Sequence, residues 1–258
     1  MSKKHKKHNQ KTNKQHDNSS SEQEYIKDTS PIVYQKGKLK SELHIRIRPD
    51  LTEKQKELLA LINSKECKMI FVEGPAGTSK SFVSIMAALQ LLNNRKVSDI
   101  VYLRSVVESS DFSIGFLPGS ESDKVGPFLL PFVDKLNELL PPQEIDMLMK
   151  DERIQGHPIN FIRGAHWAVK CVICDEAQNL SYHELVTLVT RAGEYSKFII
   201  ISDSDQTDIK SSGIKKMMDN FDDDESKSNG IYKFQFTEDD CVRSQLVKFI
   251  LKRLKNKK

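Results

Sequence analysis

The chain has 258 residues, with 40 Lys and Arg against 36 Asp and Glu and a formal net charge of +4. That length can hold one large or two small domains around a sizeable core. No stretch approaches the ~18–20 apolar residues of a membrane span and the start has no signal-peptide apolar run, so a soluble, cytoplasmic protein is expected.

Residues 1–30, beginning MSKKHKKHNQ, carry seven Lys, four acids and almost nothing apolar. Such a segment cannot repay the entropy of ordering, and a disordered basic arm is predicted. Residues 243–258 hold seven basic residues and no acid, so both ends are basic on a mildly acidic body. Local basic patches can hold a polyanion, and Lys-rich ends also serve solubility; composition leaves both open.

Residues 31–50 read as a linker with a short strand, from the alternation of Leu43, Ile45 and Ile47. LTEKQKELLALINS then has helical spacing. Beyond it, apolar runs alternate with helical stretches: KMIFVEG, a helix over 80–93, DIVYLRS, KCVICDEA, a helix over 181–192, KFIIISDS, a helix over 212–220, IYKFQFT and a helix over 240–254. The pattern predicts an α/β domain over 51–258, a mostly parallel sheet with helices on both faces. Residues 106–165 form an irregular insertion of Gly and Pro turns and amphipathic helices, with a strand and turn in HPINFIRGAHW. FDDDES at 221–226 reads as an acidic surface loop.

Cys171 and Cys174 make a C-x-x-C inside WAVKCVICDEA. On a buried strand, positions three apart point to opposite faces, so the two thiols can share neither a metal nor a disulfide. All four cysteines are expected to be reduced core or edge residues.

The chemistry concentrates in GPAGTSKS, residues 74–81, a near match to the phosphate-loop pattern G-x-x-x-x-G-K-[ST] with Ser79 in place of the last glycine. It follows an apolar strand and opens a helix. Gly74 and Gly77 let the backbone curl, and the N–H groups of Pro75-flanking residues Ala76 to Ser81 can face phosphates at a helix N-terminus. Lys80 would reach the β- and γ-phosphates and Ser81 would ligate Mg²⁺. At Ser79 a helical backbone would be allowed, whereas a positive φ would cost about 1 kcal/mol. A second strand ends in Asp175 and Glu176, where one acid can hold a metal shell (Asp175) and the next can deprotonate water (Glu176). A third runs into Asp203 and Gln206, and Gln206 could bond the γ-phosphate or the water.

GPAGTSKS, VICDEAQN and SDSDQTD, with GFLPGSESDKVGPFLLPFVDKL and INFIRG between the first two, resemble the PhoH-like ATPases, a family similar to the motor core of superfamily 1 helicases. The resemblance runs from about Leu51 to Leu254. It implies a RecA-like fold, ATP and Mg²⁺ as cofactors, and action on RNA or single-stranded DNA, with unwinding as an extension. Two positions depart from it: Ser79, and Ser202 where glycine is usual before the third-motif Asp. The resemblance makes Gln55 a candidate adenine reader, although Thr52-x-x-Gln55 is also a helix capping box. It makes Arg243 a candidate arginine finger, against an ordinary helix arginine. Arg104 and Arg163 match family arginines that would meet nucleic-acid phosphates or a neighbouring subunit.

Superfamily 1 motors close two RecA-like domains around ATP, and this length holds one. A homo-oligomer, in ring form, with ATP near a subunit boundary is therefore expected. Some members carry an added nuclease domain of the PIN type; no acid-bearing α/β segment is left over here to form one, so no nuclease activity is expected. A nucleotide-gated nucleic-acid-binding protein with little turnover is the alternative that the two serines motivate.

Overall fold

The computed structural model describes residues 39, 41–48, 50–105, 121–159, 162 and 164–242, together with 246, 249 and 253. The basic arm, Arg163, Arg243 and most of the helix expected over 240–254 lie outside the described residues; 246, 249 and 253 are helical.

Six parallel strands make one sheet in the order β3-β2-β4-β5-β1-β6: β1 Met69–Glu73, β2 Asp99–Arg104, β3 Ile154–Pro158, β4 Lys170–Asp175, β5 Lys197–Ser202 and β6 Ile231–Gln235. Helices connect them: α1 Glu53–Asn63, α2 Lys80–Asn93, α3 Glu121–Leu139, α4 Pro142–Lys150, α5 Tyr182–Val189, α6 Ile214–Asp219 and α7 Asp224–Ser228. The central strands are buried on both faces, as a parallel sheet covered on both sides requires. Their side chains alternate between two cores. Ile70, Val72, Ile100, Tyr102, Cys171, Ile173, Ile199 and Ile201 meet α1, α2 and the apolar faces of α3 and α4. Met69, Phe71, Val101, Leu103, Val172, Cys174, Phe198 and Ile200 meet α5 and α6. Each fully buried aliphatic or aromatic side chain contributes about 1.5–3 kcal/mol, so the two layers carry the stability of the domain.

The alternation separates Cys171 and Cys174 into different cores, both buried and free. Burial pushes the Cys171 thiol up to about 12 and raises that of Cys174 further. Among the described residues no cluster of His, Cys, Asp or Glu suits a metal on its own, and no helix is long and apolar enough to cross a membrane.

Three local expectations change. No strand forms over 42–48. Instead an extended segment is pinned across helices, the Leu43 N–H donating to Asn93 Oδ1 (2.8 Å) and the Arg46 N–H to the Leu139 carbonyl (2.8 Å), with Leu43 buried and Ile47 exposed. In the insertion the expected amphipathic helices are α3 and α4, which bury Phe132, Leu136, Leu139, Ile145 and Leu148, with Phe132 stacked on Tyr102 of β2 at 4.5 Å between ring centroids. Its strand comes earlier than expected, as the edge strand β3 (IQGHP) paired with β2. The acidic loop at 221–226 runs into the short helix α7, whose N-cap Asp223 accepts the Ser226 N–H at 2.6 Å.

Candidate nucleotide-binding site

The site lies beyond the carboxyl ends of β1, β5 and β4, three neighbours in the sheet. β1 runs straight into the loop Gly74–Ser79, and Lys80 opens α2. Two features make the loop tight. Gly74 has φ +151 and a Cβ there would stand 2.6 Å from that of Phe236, which is held against β1 by its N–H on the Glu73 carbonyl (2.8 Å). Gly77 has φ +88, and its carbonyl accepts the Val242 N–H at 3.0 Å. Ser79 is left-handed, φ 66 and ψ 28, with no cap bond from its side chain. The serine therefore adopts the backbone that its glycine counterpart would take freely, at a cost of about 1–2 kcal/mol.

A cleft of about 370 Å³ opens over this loop, within the size range of small-ligand sites. Its lining brings together Ser79, Lys80, Ser81, Asp175, Glu176 and Gln206, and adds Gln178, Ser202 and Asp203. The outer wall is Arg48, Lys135 and Glu138, with the Arg48 guanidinium over the Phe82 ring at 5.2 Å.

Lys80 Nζ is buried and donates to the Gly74 carbonyl (2.5 Å) and the Pro75 carbonyl (2.9 Å). Burial lowers its pKa; Asp203, Glu73, Asp175 and Glu176 oppose that shift. Asp175 is the hub of the β4 end. It accepts the Ser81 hydroxyl at 3.1 Å on one oxygen and the Tyr102 hydroxyl at 2.9 Å on the other. Burial and the adjacent carboxylate raise the Tyr102 pKa, which keeps that donor protonated. Ser81 and Asp175 thus present two hard oxygens side by side, a donor set suited to Mg²⁺, which binds through few protein oxygens plus phosphates and water.

Glu176 follows in a left-handed conformation, φ 56. Strain of that kind in a non-glycine residue persists only where its surroundings hold it. Here Gln178 Nε2 donates to Glu176 Oε2 at 2.6 Å, and Arg104 Nη2 lies 3.8 Å from Oε1. The Gln178 carboxamide oxygen accepts the Asp203 N–H at 3.0 Å, joining the ends of β4 and β5. Burial raises the Asp203 pKa, while Lys80 and the Asp205 N–H oppose this. Gln206 is exposed on the single turn Ser204–Gln206, at the rim of the cleft.

Gln55 stands elsewhere. It is buried at 3% exposure, closes the capping box by accepting the Thr52 N–H (3.1 Å), and donates to the Thr78 carbonyl (3.1 Å). It is not among the residues lining the cleft, and its amide is bonded to the phosphate loop through the Thr78 carbonyl. Thr78 is itself fully buried, its hydroxyl donating to the Pro75 carbonyl at 3.1 Å.

Sequence reading passes over Glu73, Tyr102 and Gln178. Gln178 lies in VICDEAQN and Glu73 directly precedes the loop, so position was the available signal; Tyr102 reads only as a core aromatic.

A parallel sheet whose inner strand β1 runs through a curled loop into a helix, with a buried lysine and two strand-end acids at one cleft, defines a RecA-like P-loop domain, a fold that suggests nucleotide binding. A family model described as PhoH-like protein matches residues 46–255. The chain belongs to the PhoH-like family, whose membership suggests a P-loop ATPase. It is 33% identical over 203 residues to a PhoH-like protein of Bacillus subtilis, covering 76% of this chain and 60% of the relative. It is 32% identical over 199 residues to protein PhoH of Escherichia coli K12, covering 75% and 54%. With a PhoH-like protein of Synechocystis the identity is 37% over 158 residues, covering 61% and 47%. The chain thus spans about half to three-fifths of the length of these relatives.

Proposed function

We propose that the protein hydrolyses ATP with Mg²⁺ and couples turnover to RNA or single-stranded DNA. The observation that carries the reading is the convergence of Lys80, Ser81, Asp175, Glu176 and Gln206 on one cleft from three neighbouring strands. Lys80 neutralises the β- and γ-phosphates, moving from loop carbonyls to phosphate oxygens. Ser81 and Asp175 would hold Mg²⁺, which would supply positive charge beside the phosphates. Glu176 orients water and takes its proton, with Gln178 and Arg104 setting the carboxylate's direction. Gln206 completes the water and γ-phosphate side from the rim. Arg243 is proposed as the finger that stabilises transition-state charge. The protein acts as a homo-oligomeric ring, with ATP near a subunit boundary, and strand unwinding is the work that hydrolysis drives.

Phosphate release measured with a panel of single-stranded RNA, single-stranded DNA and duplexes tests the coupling. Stimulation of at least several-fold by one single strand supports it, and equal turnover with and without every nucleic acid contradicts it. Light scattering with ATP tests the ring, which a monomer at all concentrations excludes. The left-handed Ser79 favours a second reading, a nucleotide-gated binder with little turnover. Tight ATP binding with negligible phosphate release would select it.

A further inference from the structure

The turn after β5 carries Asp203 and Gln206, and it is held from two sides. On one side Gln178 accepts the Asp203 N–H. On the other, Glu73 accepts the Ser204 N–H on Oε1 at 2.9 Å and the Ser202 hydroxyl on Oε2. Glu73 is the last residue of β1 and pairs in register with Ser202 across the sheet. One carboxylate therefore joins the root of the phosphate loop to the root of the turn.

Both residues have little freedom to do otherwise. Ser202 is 1% exposed, so without Glu73 its hydroxyl would lose its partner in a buried place. Glu73 is set by its carbonyl on the Phe236 N–H and by Gly74, which has no room for a side chain against Phe236. A glycine at 202, the residue that the family resemblance has there, could not make the hydroxyl bond. Both Glu73 oxygens are committed to the turn, while the neighbouring Lys80 ammonium bonds to carbonyls.

We propose that Glu73 and Ser202 are a positioning pair that aligns Asp203 and Gln206 with the phosphate loop, so that Ser202 is a working part of the site and its reversion to glycine is harmful. The inference rests on the ATPase reading of the cleft. It gives the pair an effect on the reaction step and little effect on nucleotide affinity, since neither side chain needs to touch the nucleotide.

The test is steady-state ATP hydrolysis with Mg²⁺ by the full chain, comparing wild type with Ser202→Gly, Ser202→Ala, Glu73→Gln, Gln206→Ala and the Ser202→Ala/Gln206→Ala double variant. Fluorescent-nucleotide affinity and thermal melting are read beside each. The pair predicts a kcat fall of roughly five- to twentyfold in Ser202→Gly, Ser202→Ala and Glu73→Gln, with KM within about threefold. It also predicts that Ser202→Ala costs under about twofold once Gln206 is gone, because the two act as one unit. A Ser202→Gly variant as fast as wild type overturns the inference, as do independent multiplying effects of Ser202→Ala and Gln206→Ala. A loss of nucleotide affinity as large as the loss of turnover also overturns it, because that marks a purely structural role. An inactive wild type overturns both this pair and the ATPase reading, whereas an active wild type with an unimpaired Ser202→Gly overturns the pair alone.

Discussion

The two ends of the sheet use the same residue types to opposite effect. At the amino end, Asp99, Lys170 and Lys197 are the first residues of their strands and Arg153 directly precedes β3. Asp99 is fully buried, accepts the Ser98 hydroxyl at 2.8 Å, and has Lys170 Nζ at 3.6 Å and Arg153 Nη1 at 3.8 Å. Arg153 also donates to the Ser98 carbonyl at 3.0 Å. Lys197 donates to the carbonyls of Ile62 and Ser64 at the end of α1, where a cation suits the helix dipole, and burial lowers its pKa. Asp99, Lys170 and Arg153 close on one another, and Lys197 closes on helix-end carbonyls. At the carboxyl end, Lys80, Asp175, Glu176 and Asp203 face a common cavity, and Ser79 and Glu176 hold left-handed backbones. Burial of charge alone therefore does not mark a site, and neither does left-handed backbone, which Arg95, Glu152, Val169 and Tyr195 adopt in the turns leading into the strands; charge that converges on open volume does.

Substitutions at the two ends should separate along those lines. The largest effect on stability is expected from Asp99→Ala, which leaves two cations near a buried, uncompensated position and should cost about 3–5 kcal/mol in urea unfolding. The ATP KM of the folded fraction should not change. Gln178→Ala should cost about 1–3 kcal/mol, since it strips the buried Asp203 N–H of its acceptor, and should also slow turnover by freeing Glu176. An effect on stability alone would move Gln178 to the structural side of the comparison. Ser79→Gly relieves left-handed strain of about 1–2 kcal/mol but adds unfolded-chain entropy, for a net gain of about 0–1 kcal/mol. Ser79→Val, β-branched at positive φ, should be less stable than Ser79→Gly by the same unfolding measurement; the reverse order would contradict the loop geometry. The smallest effect is a null: thiol labelling at pH 8 should be negligible in the native chain and complete on unfolding. All four cysteines are buried, and burial pushes Cys67 up to about 11 and Cys171 up to about 12.

The elements with strong apolar periodicity were legible in sequence. α2 spans the expected 80–93, and three of the five apolar runs, those of β1, β4 and β5, end at the cleft because they are neighbours whose carboxyl ends point one way. β3 was displaced because IQGHP has one strong apolar residue and sits at an edge, where pairing with β2 and packing under α3 decide its place. The segment at 42–48 alternates like a strand, but its N–H groups donate to the Asn93 side chain on α2 and the Leu139 carbonyl on α3, and among the described residues no strand pairs with it. At the site, residues inside a motif were legible, and residues whose meaning depends on a distant partner were not. Ser202 reads as a departure until Glu73, 129 positions away, supplies its acceptor. Gln55 reads equally as a cap and as a base reader; only the nearness of the Thr78 carbonyl shows which bonds its amide makes.

The central claim is that the cleft at the carboxyl end activates water against a bound triphosphate through Glu176. Phosphate release from ATP with Mg²⁺, compared between wild type and Glu176→Gln at matched nucleotide occupancy, tests it most directly. The account predicts turnover in the wild type and a fall of about 10²–10⁴-fold in the variant with ATP affinity retained. Equal phosphate release from the two proteins would contradict it.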